Sequence, residues 1–541
     1  MKSLFPKILL LLPPLLSNAL VHAQKSVLTQ HNDLNRTGWY DNETHLNKNN
    51  VRQGSFGKIF VRSVDDQIYA QPLVKLNITI PGIGKRNLVF VATVNNTVYA
   101  FNADSANATT AYWTVNLTAR RSRVIHKSDE TGACGGFYND FSGNMGIVGT
   151  PVIDSTTNTM YVVARSVDTT GGANNAVQYL HALDLTTGAE KANSPVLITA
   201  TVSGTGEGSS GGSLSFNPLH QNQRSGLLLL NGVVYIAWSS HCDWGPYHGW
   251  LMGYDKTTLQ QKYVYNSTPD GYNGGIWMSG GGPSADANGN IYLAVGNGSV
   301  GKNGNPADLR NRSETALKLS PAGTGFNIGS FFTPKNYETL EGADLDFGVT
   351  QVMLIPGTNR AIVGAKDGHL YLLDRDNMGG YSSVADNVAQ AISLGSNSFL
   401  RSALSYFNGS KKYIFSWSEN SLLRAFPYNA TSNLIDLNNQ VTSGLPGPIG
   451  NSGAVLSVSS NGSVDSTGIL WASYAANGDA NQSVRPGILR AIDATDVTKE
   501  LWNCRSTPKI IPVITQNLIA PQSQMVKSIS ALSQTNWPSM G

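Results

Sequence analysis

One pattern recurs along the chain: a short apolar strand, then an Asp or another turn residue, then a polar turn. It reads VYAFNADS at 98–105, YLHALDLTTGAEK at 179–191, LMGYDKTTLQQK at 251–262 and ALKLSPAGTG at 316–325. It returns as LYLLDRDNMGG at 370–380, LLRAFPYNATS at 422–432 and LRAIDATDVTKELW at 489–502. Most copies follow a second strand of the type NLVFVAT, TMYVVAR, VVYIAWS or NIYLAVG. Helical periodicity is nearly absent, and strands rich in Val, Tyr, Leu and Ile punctuated by Gly, Asn and Asp predict an all-β chain. Radial repetition of such units is a single β-propeller, whose closure removes open sheet edges. A pair of sandwiches or a β-helix would not explain a strand–Asp–turn recurring every 53 to 80 residues, roughly. That spacing exceeds a minimal blade, so long loops are inserted, and such loops build sites on one face.

Seven copies predict seven blades, and an eighth could be assembled from VLTQHNDLNRTGWY near the N-terminus together with the C-terminus. The predicted organisation is a leader over 1–23, the propeller over 24–502 and an atypical tail over 503–541. The tail lacks the signature and is either a degenerate last blade or irregular. Trp502 is expected near the ring closure.

Lys2 and Lys7 flank an apolar run, Ile8 to Leu16, and Val21-His22-Ala23 offers small residues for cleavage. This predicts a secretory signal peptide removed after Ala23 and a secreted, extracellular protein. The run is too short to span a bilayer, and no later segment is long and apolar enough. Net charge is +3, and removing Lys2 and Lys7 leaves +1, so no basic face for nucleic acid is implied. A monomer without a membrane span is expected. Three cysteines in an oxidising compartment predict one disulfide and one thiol. Cys134 and Cys242 both lie in Gly-rich loops, which favours that pair, although spacing does not fix connectivity. Glycosylation sequons at Asn35, Asn42, Asn77, Asn95, Asn107, Asn116, Asn266, Asn311, Asn408, Asn429, Asn461 and Asn481 fit export into a glycosylating host. Chance alone would give about eight sequons, so export is the stronger argument.

The A-L-D-x-T-T-G-x turn resembles the tryptophan-docking repeat of the quinoprotein alcohol dehydrogenase superfamily, over about residues 27 to 502. Stretches such as GLLLLNGVVYIAWSSHCDWGPYHGW and GGIWMSGGGPSADANGNIYLAVGNGS are also similar to secreted quinoprotein-like propellers of unassigned activity. The resemblance implies an eight-bladed ring holding pyrroloquinoline quinone and Ca²⁺ on its axis, with a small alcohol or sugar as substrate. FFTPKNYETLEGADLDFGVTQVMLIPGTNRAIVGAKDGHLYLLDRD is similar to the dehydrogenase segment carrying the catalytic base and the quinone-contacting cation. By that match Asp346 is the base and a metal ligand, and Lys366 binds the quinone oxygens. YLAVGNGS places Asn297 on a Ca²⁺-ligating Asn, and SSHCDWGPYHGW places Asp243 where the superfamily has a Glu. The chemistry is coherent: Ca²⁺ takes hard oxygen ligands and acts as a Lewis acid, a carboxylate takes the alcohol proton, and a cation stabilises the reduced quinone.

The sequence departs from that pattern in three ways. It has no adjacent cysteines to cover the quinone and no Cys-x-x-Cys-His for an attached haem. Its match to the stacking Trp falls within Gly280 to Gly282, with Trp277 just before. Plainer roles compete at each position. Asp346 would serve as a turn carboxylate, Lys366 as an exposed loop cation, and Asn297 as a glycan carrier, since it heads its own sequon. His241 and His248 flank Asp243 without a clear third ligand. DANGNIY at 286–292 reads as a hairpin turn, not a Ca²⁺ loop. Asp344 and Asp346 could suggest a glycosidase pair, but nothing shows that they flank a sugar. The reading is therefore a quinone-dependent oxidoreductase, with a non-catalytic propeller that binds a ligand or partner through its loop face as the alternative.

Overall fold

The computed structural model describes residues 24–141, 143–170, 175–278, 280–395, 398–481, 483–505 and 514–515. The expected leader with its cleavage after Ala23, and the tail from 506 apart from 514–515, lie outside those residues.

Seven antiparallel sheets follow one another as seven blades. Blade one is typical: Leu73–Ile80, Gly84–Ala92, Thr97–Asn102 and Trp113–Asn116, paired in that order. Several second strands are deeply buried, as in Val233–Ser240, where all eight residues are buried. Side chains from neighbouring blades interdigitate between the sheets. Trp238, Trp250, Trp417 and Trp471 are fully buried there.

The recurring Asp has a physical role at the end of the third strands that carry it. Its carboxylate accepts backbone N–H groups two or three residues on, which closes the polar turn. Asp184 accepts Thr186 N–H at 2.9 Å, Asp255 accepts Thr257 N–H at 2.9 Å, and Asp493 accepts Thr495 N–H at 2.8 Å. Asn102 and Asn429 do the same in their blades. The turn of the A-L-D-x-T-T-G-x copy also docks a tryptophan. Trp113 Nε1 donates to Leu185 O at 2.9 Å, and its ring lies so close to Gly188 that a Cβ there would sit 2.5 Å from Cε3.

The ring closes without an eighth blade. Trp39–Tyr40 pairs in parallel with Val458 and Ser459 and becomes the innermost strand of blade seven. Phe56 then packs edge-on against Trp502, with ring centroids 4.9 Å apart. The N-terminal segment is thus absorbed by the seventh blade, which corrects both the eighth-blade option and the eight blades that the resemblance implied.

Residues 27–40 also visit the inner edges of the blades in turn. Val27 bridges Val74 of blade one, and Leu28 O accepts Ile153 N–H of blade two. Leu34, Asn35 and Thr37 carbonyls accept N–H groups of Ala285, Leu354 and Tyr406, in blades four, five and six. Arg36 is fully buried among them, donating to the carbonyls of Gln30, Leu227 and Pro283 and to Thr29 Oγ1. This segment plugs one end of the ring.

Candidate functional site

In a four-stranded blade, loops between the second and third strands share a face with the connections between blades. Asp243, Asn297 and Lys366 lie in such second-to-third-strand loops, and Asp346 lies in the connection from blade four to blade five. All four belong to one face. Five residues after Asp346, Gln351 already bonds Leu404 O at 3.0 Å and reaches Arg36 O. The chain therefore passes from the site to the plug within that stretch.

Asp346, buried at 2% exposure, is the hub. Its Oδ1 accepts the Asn297 backbone N–H at 2.8 Å, and its Oδ2 is in an ion pair with Lys366. Lys366 Nζ also donates to Asp344 Oδ1 at 2.9 Å, and Asn297 Nδ2 donates to that same oxygen at 2.9 Å. Lys366 is accordingly neither exposed nor solitary. Burial alone would lower its pKa, but the carboxylates of Asp346 and Asp344 outweigh this and raise it.

Close approach in this cluster depends on Gly296. A Cβ there would lie 2.4 Å from Asp346 Oδ1 and 2.7 Å from Trp277 Cδ1. Trp277 is itself buried, stands edge-on to Tyr247 with centroids 6.3 Å apart, and carries the Arg224 guanidinium 5.6 Å above its ring.

Asp243 does not bond Asn297 or Asp346. Its carboxylate accepts the Tyr247 hydroxyl. The residue as a whole is open to solvent, yet its carboxyl group is enclosed, and the pKa follows the carboxyl. Burial first, and the charge of Asp346 second, push it up to about 6. A raised carboxyl pKa makes the folded state lose stability as pH rises from the unfolded value, about 4, through about 6. Asp243→Asn is expected to match the parent at pH about 4 and to exceed it by about 1 kcal/mol at pH about 7, a figure reduced for solvent screening. Urea titrations at the two pH values measure this; equal differences at both would refute it.

Glu314, a lone acid ahead of an apolar strand, carries no functional signal in the sequence. The loop after Asn297 returns so that Glu314 N–H donates to Gly296 O at 2.9 Å. Its side chain is fully buried, with one oxygen accepting Phe347 N–H. The other oxygen has no hydrogen-bond partner, and neither does Asn297 Oδ1. Burial, then the charge of Asp346, drive the Glu314 pKa well above the carboxylate range. The site thus gathers Asp243, Glu314, Asp344 and Asp346 around Lys366, with Arg224 also in electrostatic reach of Asp346. Acids outnumber cations, so protons or an added cation must balance them.

Other expected positions divide. Cys134 and Cys242 form a disulfide with Cα atoms 5.3 Å apart, and Cys504 is a buried thiol. The bridge ties the Asp243 loop to the connection between blades one and two. His241 bonds the Tyr138 hydroxyl at 2.8 Å, and His248 bonds Thr268 and Glu207 O, so both are structural. Asp286 closes a hairpin turn through Asn288 and Asn290 N–H. Asn42, Asn266 and Asn311 are buried, so a glycan there would have to displace packed protein. Asn77, Asn107, Asn116, Asn429, Asn461 and Asn481 are exposed. Among the described residues no three His, Cys, Asp or Glu side chains converge as a metal cluster. Among them, too, no helix is long and apolar enough to cross a membrane.

The fold is similar to that of solved quinoprotein structures. The quinohemoprotein alcohol dehydrogenase from Comamonas testosteroni is 14% identical over 88% of this chain and 72% of that one, with a TM-score of 0.52. A europium-containing methanol dehydrogenase is 11% identical over 89% of this chain and 85% of that one, with a TM-score of 0.53. A quinohemoprotein alcohol dehydrogenase from Pseudomonas putida HK5 is 13% identical over 88% and 72%, with a TM-score of 0.50. At these identities the likeness is one of fold. No family model matches the chain, and no curated protein sequence matches it.

Proposed function

We propose that the chain is a secreted oxidoreductase that oxidises an alcohol or sugar hydroxyl at the Asp346 site, using pyrroloquinoline quinone and Ca²⁺. The observation that carries this reading is the pair of buried, unpartnered oxygens, Asn297 Oδ1 and Glu314 Oε1, next to the Asp346 carboxylate. An amide oxygen and two carboxylates are the donor chemistry of a hard cation. Asn297, Glu314 and Asp346 would hold the ion, with Asp243, whose carboxylate accepts the Tyr247 hydroxyl, beside them. A bound ion would also offset the acid excess that raises the Glu314 pKa.

When bound, the quinone supplies the hydride acceptor and the ion its Lewis acidity. The chain's own residues do the rest. Asp346, fixed by the Asn297 amide, accepts the hydroxyl proton of the substrate. Lys366, released from Asp346, presents its ammonium to the charge that develops beside it. Trp277 provides an apolar wall under Arg224. The disulfide between Cys134 and Cys242 holds the Asp243 loop over the site. Export is supported by that disulfide and by the leader-like N-terminus.

The completed Lys366–Asp346 ion pair favours a second reading, a propeller that binds without catalysis. Titration with pyrroloquinoline quinone in the presence of Ca²⁺, read by tryptophan fluorescence, separates the two. Saturable, Ca²⁺-dependent quenching is expected, and Asp346→Asn should retain some binding but lose about 10³-fold in dye-linked alcohol oxidation. No saturable quinone binding would leave the non-catalytic propeller standing.

A further inference from the structure

A second concavity, about 450 Å³ in volume, opens beside the axial site, at Gly298 and Ser299. Tyr272, Tyr337, Glu338, Glu341, Lys302 and Asn303 line it. Its floor is locked together. Asn273 bridges both His248 and Gly298, and Tyr272 exchanges hydrogen bonds with Ser299 through its N–H, at 3.1 Å to Oγ, and its carbonyl, at 3.2 Å from N. On this rigid shelf the Tyr272 side chain stands 43% exposed. Tyr272 thereby presents an aromatic face to a polar cavity, a surface that can pair with an apolar ligand face.

The charges around the cavity choose the occupant. Asp270 is neutralised by Lys302 at 2.8 Å and Arg310 at 2.7 Å. The Tyr272 hydroxyl donates to Glu341 Oε1 at 3.1 Å and the Tyr337 hydroxyl to Glu338 Oε1 at 3.2 Å, which orients both carboxylates and leaves each a second oxygen. Three carboxylates face two cations, so the surface is close to neutral. An amine ligand would be opposed by Lys302 and Arg310, and an anion by Glu338 and Glu341. A neutral polyol uses both sets: its hydroxyls donate to the Glu oxygens and accept from the Lys302 ammonium and the Asn303 amide. Its apolar ring face would cover Tyr272, as aromatic surfaces in pockets pair with apolar groups.

We propose that this concavity is a carbohydrate-binding site for a neutral sugar of one to two rings, with Tyr272 as its platform and Glu338 and Glu341 as hydroxyl acceptors. The site stands on its own geometry and does not depend on oxidation at Asp346. Calorimetric titration of the intact protein with cellobiose and with maltose tests it, with putrescine as a cationic probe. One of the two disaccharides is expected to bind saturably. Tyr272→Ala should weaken that binding about tenfold or more, and Tyr272→Phe, which keeps the ring, only a few-fold. Asp346→Asn should bind the sugar like the parent, so failure of the oxidoreductase reading and failure of this one are told apart. Melting temperatures of all variants confirm that each is folded. Absence of binding by both disaccharides, binding that survives Tyr272→Ala in full, or binding of putrescine in place of sugar would each overturn the proposal.

Discussion

Replacing Arg36 by Met lowers the unfolding free energy by about 3–5 kcal/mol, the largest single-residue stability effect expected outside the hydrophobic core. The guanidinium has no exposure and serves four oxygens, three of them backbone carbonyls of the plug and of blades three and four. Met fills much of the same volume but leaves those carbonyls buried and unpaired, which is the costly half of losing a hydrogen bond. Burial already opposes the charge and lowers the Arg36 pKa to about 10. A stabilising contribution despite that cost means that the hydrogen bonds outweigh desolvation. Urea denaturation compares Arg36→Met with Arg52→Met, an exposed arginine of the same N-terminal region for which a change under about 0.5 kcal/mol is expected. Equal midpoints for the two would show that the plug is not what closes the ring.

Removing the cation at the candidate site has a comparable cost. Lys366→Met leaves Asp346 buried beside Glu314 with no ammonium against it. Breaking one half of a buried ion pair typically costs about 3–5 kcal/mol, because the remaining charge is stranded. The double variant Lys366→Met/Asp346→Asn has no stranded charge and recovers most of the loss. Thermal unfolding of the two variants at neutral pH reads this directly. A single variant as stable as the parent at neutral pH would mean that Lys366 is an idle loop cation, the plainer role open to it from the sequence.

The repeat determined the architecture before any coordinates. Seven strand–turn copies became seven blades, and in six of them an Asp or Asn has a local task, accepting backbone amides within its own turn. Interactions that span two or three residues are legible in a linear sequence. The candidate site was legible only in part, for the same reason. Asp346, Lys366 and Asn297 were singled out only through the resemblance to the dehydrogenase segments, and their mutual bonds cross from one blade to the next. Glu314 left no trace, because its place depends on a long loop folding back to Gly296. Asp243 was assigned to the same ligand shell by the resemblance; that its carboxylate accepts the Tyr247 hydroxyl was not legible there. The number of blades beyond the seven copies could not be read either. VLTQHNDLNRTGWY had the polarity of an extra blade, yet its backbone groups found partners on the inner edges of blades already formed. The sequence by itself determined the strands, their turns and the order of the blades, since each rests on contacts between near neighbours in the chain. Only the tertiary structure decided how the ring closes and which acids share Lys366, since each is a contact between residues tens to hundreds of positions apart.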